Sequence, residues 1–169
     1  MKNRTRDLVM MAMYLALFFV LDYIANQLPL FKMPNGGTLG LGVLALILSS
    51  YDLGWKKGIV VSLMSVLLQF LTGQMYIVDF VQFVMEYGLA FGVYGISSLF
   101  PNKGYVYTGV IVTNVIRLVL HTLAGVWYWG FAFIPSFSYN GWYMIPTMII
   151  CMILVPLVDK KIKRNRVKV

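Results

Sequence analysis

The sequence has few charged residues and almost none of the side chains that build metal sites. Only 12% of its 169 residues are Asp, Glu, Lys or Arg, which is about half the fraction found in soluble domains. A single cysteine, Cys151, and a single histidine, His121, exclude an intrachain disulfide and a Cys/His metal cluster. With 60% hydrophobic residues, the composition is typical of an integral membrane protein with no metal site.

Signatures of catalysis are also missing from the sequence. It contains no HExxH zinc motif, no phosphate-binding P-loop and no Ser/His/Asp set in a known order. We therefore expect no cofactor, no ATP site and no enzyme activity. An intramembrane enzyme that uses Glu86 and His121 as acid and base stays open as a less favoured alternative.

Positive charge is concentrated at the ends of the sequence and in two short loops. The net charge is +8, and all the Lys and Arg residues except Lys32 and Arg117 lie at the N-terminus, near residues 56 and 103, or in the tail DKKIKRNRVKV. This distribution follows the positive-inside rule, in which each basic residue gains ~1 kcal/mol from an anionic leaflet. It indicates membrane lipid rather than nucleic acid as the partner of these charges.

Six apolar segments predict membrane-spanning helices. About 20 apolar residues cross a bilayer as a helix, and a helix satisfies its own backbone hydrogen bonds. We predict an all-α integral membrane protein with six transmembrane helices, both termini cytoplasmic, and a single domain over residues 1–169. The predicted spans are roughly 7–29, 38–53, 55–73, 78–100, 105–130 and 141–159.

Two of these spans carry further expectations. The first follows a basic start, but its apolar run is too long for a signal peptide and has no small-residue cleavage site, so we expect it to be retained. The second is short and contains glycine, which leaves a tilted, broken or partial crossing open. The loops near 30–37, 73–78 and 130–140 are predicted to face outside. These loops are rich in glycine, proline and aromatic residues. In the last loop the aromatic residues are denser than an interfacial aromatic belt needs, which favours the mouth of a binding site.

Three ionisable residues fall deep within the predicted spans and are candidates for a functional site. Glu86, the only glutamate, lies roughly 12 Å below the outer end of span four. His121 lies at nearly the same depth in span five, and Arg117 is one turn deeper on the same helix face. We predict that they meet in one pocket, with Arg117 in a structural ion pair with Glu86.

The face of span five that carries His121 continues to Gly125, Tyr128 and Trp129. A carboxylate surrounded by aromatic rings suits an aromatic, partly cationic ligand. Two further acids lie near the outer surface, with Asp79 at the edge of span four and Asp22 in the outer half of span one. The sequence assigns no role to these two acids.

Four stretches of the sequence carry a resemblance to a known family: "LFKMPNGG", "LTGQMYIVDFVQFVMEYGLAFGVYGISSLF", "RLVLHTLAGVWYWG" and "SYNGWYMIP". Together with the six predicted spans and the basic tail, they make nearly the whole chain resemble the thiamine-specific substrate-binding subunit (S component) of the energy-coupling-factor vitamin transporters. The resemblance implies capture of thiamine from outside, with "MPNGG" as part of a lid. It also implies import driven by a transmembrane coupling subunit and two ATPase subunits.

The resemblance implies roles for individual residues. Glu86 is expected to hydrogen-bond the aminopyrimidine of the ligand, with Tyr87 beside it, and Trp129 is expected to stack on the ligand. The complete set of expected substrate-binding residues is Glu86, Tyr87, His121, Gly125, Tyr128, Trp129, Tyr139 and Asn140. The coupling subunit is expected to dock on the small residues Ala12 and Ala16, since small side chains four residues apart let helices approach closely.

The sequence departs from the family at two positions. Pro135 stands where a family tyrosine contacts the ligand, so that contact is absent or comes from Tyr139 or Phe137. A lid aromatic has no clear match, although Phe31 and Met33 are near. A thiamine precursor such as hydroxymethylpyrimidine, or another vitamin, therefore stays open as the ligand.

Overall fold

The computed structural model of the chain describes residues 2–28, 31–34, 36–73 and 75–167, and this part is almost entirely helical. Helices α2, α3 and α6 pack against a short, irregular helical stretch in the middle of the chain, α1 packs on α2 and α3, and α7 packs on α6 and α2. The elements are α1 (Lys2–Asn26), α2 (Val43–Leu53), α3 (Trp55–Leu71), α4 (Phe80–Phe83), α5 (Ala90–Gly92), β1 (Asn102–Lys103), β2 (Val106–Tyr107), α6 (Thr108–Trp127) and α7 (Phe133–Val167).

The middle of the chain forms one helical stretch of changing type, which we call the broken helix (residues 80–99). It begins with α4, widens into a π-helix over Val84–Leu89, passes through α5 and tightens into a 3₁₀-helix over Val93–Leu99. Asp79 caps its start by accepting hydrogen bonds from the backbone N–H groups of Val81 and Gln82 at 2.7 and 3.4 Å. Short π-helical segments are frequent at functional sites, and this one contains Glu86 and Tyr87.

Among the described residues, three helices are long and apolar enough to cross a bilayer, namely Arg4–Asn26, Thr108–Trp127 and Phe133–Asn165. Helix α2 is shorter than the predicted second span, because it begins at Val43 rather than at residue 38. The prediction of a loop over residues 130–140 is wrong for residues 133–140, because these residues form the start of α7. Pro135 is tolerated there because the first turn of a helix does not need its N–H group.

The bundle exposes apolar side chains and buries polar ones. On α1, Leu8 and Met13 are 65% and 60% exposed, whereas Thr113, Gln82 and Asp159 are completely buried. Because a bilayer offers no water, polar groups are stabilised inside such a protein and apolar groups on its surface. The outer surface of the bundle is therefore suited to lipid.

Contacts between charged and polar residues tie together the end of the bundle that carries both termini. The buried carboxylate of Asp159 in α7 accepts hydrogen bonds from the hydroxyl of Tyr107 and from the ammonium group of Lys163, both at 2.7 Å. At the same end, Lys57 of α3 pairs with Asp7 of α1 at 2.6 Å. A left-handed Gly54, at φ +87°, permits the tight turn from α2 to α3. The cavity described below lies at the opposite end of the bundle.

Candidate functional site

A cavity of about 360 Å³ opens at the end of the bundle where α1 and α3 end and α7 begins. This volume lies within the range that holds a small organic ligand. Its charged and amide-bearing lining residues are Asp22, Asn26, Lys32, Gln69, Glu86, Arg117, His121 and Asn140. Its aromatic lining residues are Tyr76, Tyr87, Phe91, Trp129, Phe131, Tyr139 and Tyr143.

Glu86 lies in the π-helical segment and is held from two sides. Its Oε1 atom is 3.6 Å from Nδ1 of His121, and the two side chains are only 12% and 11% exposed. Its Oε2 atom accepts a short hydrogen bond from the amide of Gln82, which also donates to the backbone carbonyl of Tyr76 at 3.0 Å. The carboxylate is therefore fixed in position on the cavity wall.

Two buried nitrogen atoms at the cavity have no hydrogen-bond partner within the described part of the chain. They are Nε2 of His121 and Nε of Arg117, and both residues line the cavity. Leaving a buried polar group unsatisfied costs about 1–3 kcal/mol. Because both atoms have almost no accessible surface, they are unsatisfied groups behind the cavity wall rather than groups exposed to the cavity.

Arg117 does not form the predicted ion pair with Glu86; within the described residues, the basic side chain nearest to the Glu86 carboxylate is His121, at 3.6 Å. The guanidinium carbon of Arg117 lies 4.5 Å from the ring centre of Phe91, and its Nη1 atom is 3.4 Å from the hydroxyl of Tyr94. The physical reason is depth. One turn below His121, Arg117 faces the aromatic residues of α5 and the 3₁₀ segment rather than the π-helical turn that carries the glutamate.

Aromatic rings form the outer walls of the cavity. The rings of Tyr76 and Trp129 are 5.3 Å apart, and the hydroxyl of Tyr87 accepts a hydrogen bond from the backbone N–H of Tyr76 at 2.9 Å. The ring of Tyr87 is nearly parallel to that of Phe91, with centres 6.4 Å apart. Flat rings at this spacing offer faces for stacking and for cation–π contact.

The mouth of the cavity is closed in part by the loop between α1 and α2. The hydroxyl of Tyr139 donates a hydrogen bond to the backbone carbonyl of Gly36 at 3.0 Å, and its ring stacks on Phe131 with centres 6.2 Å apart. This contact joins the segment predicted as a lid, "MPNGG", to α7. Within that segment, Asn35 lies outside the described residues.

Asn140 and Gly125 hold α6 and α7 together beside the cavity. The amide of Asn140 donates to the carbonyls of His121 and Ser136 at 3.3 and 3.0 Å, and it accepts from the hydroxyl of Tyr143 at 2.8 Å. Gly125 allows the close approach of the helices, since a Cβ atom there would collide with Oγ of Ser136. Both residues therefore have structural contacts of their own in addition to their place in the cavity wall.

The predicted site residues gather at this cavity with one exception. Those that line it are Glu86, Tyr87, His121, Gly125, Trp129, Tyr139 and Asn140. Tyr128 does not line it, because α6 ends at Trp127 and the helical spacing used to place Tyr128 no longer holds there. Ala12 and Ala16 are exposed on α1, away from the cavity.

Some lining residues received no role from the sequence. Gln69, Asn26 and Tyr143 line the cavity beside Asp22. For Asp22 a signal existed, since an acid within a predicted span is a functional candidate by default. Gln69 and Asn26 gave a weaker signal, as uncharged polar residues in apolar helices are common.

Known proteins resemble this chain in both sequence and fold. The thiamine transporter ThiT of Bacillus subtilis (strain 168) is 28% identical over 180 residues, which covers 92% of this chain and 92% of that protein. A solved structure of ThiT from Listeria monocytogenes has the same fold, with a TM-score of 0.77 and 24% identity over 94% of this chain and 96% of that chain. Residues 8–167 match the family described as thiamine transporter protein (Thia_YuaJ). The resemblance predicted from the sequence is thereby confirmed, and the chain belongs to this family of membrane transporters rather than to a family of enzymes.

Proposed function

We propose that the chain is the membrane-embedded substrate-binding subunit of an ATP-driven vitamin importer, and that it captures thiamine from outside. The observation that carries this proposal is a cavity of about 360 Å³ that combines the buried pair of Glu86 and His121 with aromatic walls. Thiamine joins an aminopyrimidine to a cationic thiazolium ring. A carboxylate accepts hydrogen bonds from the amino group, and aromatic faces attract the cationic ring.

The charge distribution supports an outward-facing cavity. Basic residues cluster at the end of the bundle that carries both termini, in the start of α1, at the start of α3 and in the last turns of α7. By the positive-inside rule this end is cytoplasmic, and the cavity at the other end then faces outside. We infer six membrane crossings in the cell membrane, with the broken helix as the fourth.

The mechanism that we propose has two steps. The loop between α1 and α2 closes over the bound ligand, and the contact between Tyr139 and Gly36 is one of the contacts that hold it closed. The whole subunit then reorients within its complex and releases the ligand on the cytoplasmic side. As the resemblance to the energy-coupling-factor transporters implies, a transmembrane coupling subunit and two ATPase subunits supply the energy.

The exposed alanines of α1 are the proposed docking surface for the coupling subunit. We expect Ala16→Leu, alone or with Ala12→Leu, to reduce thiamine uptake by cells at least tenfold, because the larger side chain prevents close helix packing. Thiamine binding by the purified subunit should stay unchanged. Uptake and co-purification of the coupling subunit are the measurements.

Val60→Leu provides the matched control for these variants, since Val60 of α3 is 46% exposed and lies on another helix. It should leave uptake unchanged. Normal uptake and normal co-purification with both alanines replaced would exclude this surface as the docking site.

The aromatic wall is tested by Trp129→Ala. Loss of stacking and cation–π contact costs about 1–2 kcal/mol, so we expect the affinity for thiamine to fall roughly 5- to 30-fold. Trp127→Ala is the control, because Trp127 is 63% exposed at the end of α6 and lies outside the cavity. Calorimetric titration of the purified variants measures both effects. Equal affinity in the two variants would show that Trp129 does not stack on the ligand.

The same titration separates thiamine from its precursor. Hydroxymethylpyrimidine lacks the thiazolium ring, and a precursor carrier should not need Trp129. If hydroxymethylpyrimidine bound as tightly as thiamine and its binding were unaffected by Trp129→Ala, the ligand would be the precursor.

A further inference from the structure

Two carboxylates line the cavity, and their surroundings differ. Glu86 is held by Gln82 and His121. Asp22, on α1, accepts a hydrogen bond at its Oδ2 atom from the amide of Asn26 at 3.3 Å, and that amide also donates to the backbone carbonyl of Asp22 at 2.9 Å. Asp22 therefore has a fixed position and a neutral neighbour.

No cation forms a salt bridge with Asp22 within the described residues. Arg117 lines the same cavity and attracts Asp22 electrostatically, but its guanidinium group lies over the ring of Phe91 at 4.5 Å and bonds to Tyr94. Lys32 also lines the cavity, yet it is exposed to solvent at the mouth. Within the described part of the chain, Asp22 therefore contacts the neutral amide of Asn26 but no cation.

An acid with no cation in contact is unusual within a membrane helix. Such residues usually pair with one another, with backbone groups or with a transported ion or ligand. Removal of a charge from water is compensated only when a partner with good geometry is present. A cationic ligand in the cavity would supply this partner for Asp22.

We propose that Asp22 is a specificity-determining residue that selects the positive charge of the ligand. This inference rests on the proposed function: Glu86 and His121 bind the neutral aminopyrimidine, and Asp22 faces the cationic ring. The two carboxylates lie on different parts of the cavity wall, Asp22 on α1 and Glu86 in the π-helical segment, and in this proposal each contacts a different part of the ligand. Together they fix its orientation and favour a quaternary aromatic cation over a neutral molecule of the same shape.

The test compares two ligands of equal shape on the purified full-length protein. One is thiamine, and the other is its neutral thiophene analogue, in which carbon replaces the quaternary ring nitrogen. We expect Asp22→Asn to weaken thiamine binding roughly 10- to 100-fold, because it removes a charge–charge attraction at short range. The affinity for the neutral analogue should change by less than about twofold, since a neutral ring has no charge to lose.

Two controls accompany this variant. Asp7→Asn makes the same chemical change at the other end of the bundle, where Asp7 pairs with Lys57, and should change neither affinity. Asp22→Glu keeps the charge and should retain most of the preference for thiamine. If Asp22→Asn did not fold, Asp22→Ser would remove the charge with a smaller side chain and should give the same loss of preference.

Other outcomes would overturn the inference. An equal loss of affinity for both ligands in Asp22→Asn would indicate a structural role, and an unchanged affinity for thiamine would indicate no role. A wild-type protein that bound both ligands equally well would contradict charge selection without any variant. Failure of the wild-type protein to bind thiamine would instead contradict the proposed function, so the two failures are distinguishable.

Discussion

Replacing Glu86 by Gln is expected to weaken thiamine binding roughly 10- to 100-fold, because hydrogen bonds to a charged group contribute about 1.5–3 kcal/mol. The change keeps the size of the side chain but removes the charge that faces His121 at 3.6 Å. In the wild-type protein the amide of Gln82 donates a hydrogen bond to the Glu86 carboxylate, and in the variant it would face another amide. Calorimetric titration with thiamine measures the loss.

Asp79→Asn is the matched control for Glu86→Gln. It converts a carboxylate to an amide on the same stretch of chain, and asparagine caps a helix as well as aspartate does. Asp79 does not line the cavity, so the affinity should stay within about twofold of wild type. An unchanged affinity in Glu86→Gln would remove Glu86 from the binding site. An equal loss in both variants would point to the general charge of the outer surface.

Gly125→Ala is expected to reduce both stability and affinity. The added methyl group would collide with Oγ of Ser136, which donates a hydrogen bond to the carbonyl of Thr122 at 2.8 Å. Either this bond is lost or α6 and α7 move apart and displace Asn140. Overpacking of this kind costs about 1–3 kcal/mol, and we expect the melting temperature to fall by roughly 2–12 °C. Thermal unfolding in detergent and thiamine titration measure the two effects.

Gly88→Ala and a compensating variant test the reason for this loss. A Cβ atom at Gly88 would meet nothing nearer than a methyl group of Val84 at 4.0 Å, so Gly88→Ala should leave stability unchanged or slightly increase it. Adding Ser136→Gly to Gly125→Ala removes the colliding side chain and should restore part of the affinity. No recovery in the double variant would show that the steric explanation is wrong.

The main features of the site were predictable because the membrane constrains a sequence strongly. An ionisable residue inside an apolar helix is costly, so Glu86, His121 and Arg117 stood out, and the constant rise of a helix gave their depths. The matched depth of Glu86 and His121 agrees with the 3.6 Å contact between them. The family was predictable for a different reason, namely the specific combination of residues around these positions.

Other features leave little trace in the sequence. A π-helix differs from an α-helix by one step in its hydrogen bonding, and the composition of Val84–Leu89 gives no sign of it. The contacts of Arg117 with Phe91 and Tyr94 depend on how the broken helix rotates against α6, which helical spacing alone does not predict. The sequence did not predict that α7 begins at Phe133, because the aromatic residues and Pro135 near its start are also common in loops.

Asp22 shows a further limit of sequence interpretation. It lies in the outer half of the predicted first span, and the sequence assigned it no role because its neighbours come from helices that are distant in sequence. The structure places it on the wall of the cavity that also contains Glu86 and Arg117. Only that placement distinguishes an acid that lines a cavity from one that caps a helix, such as Asp79.

Calorimetric titration of the purified wild-type protein with thiamine tests the central claim most directly. We expect saturable binding of one thiamine per chain, and we expect Glu86→Gln to give much less heat at the same concentrations. Absence of saturable binding by the folded wild-type protein, or binding that is equally tight in Glu86→Gln, would contradict the central claim.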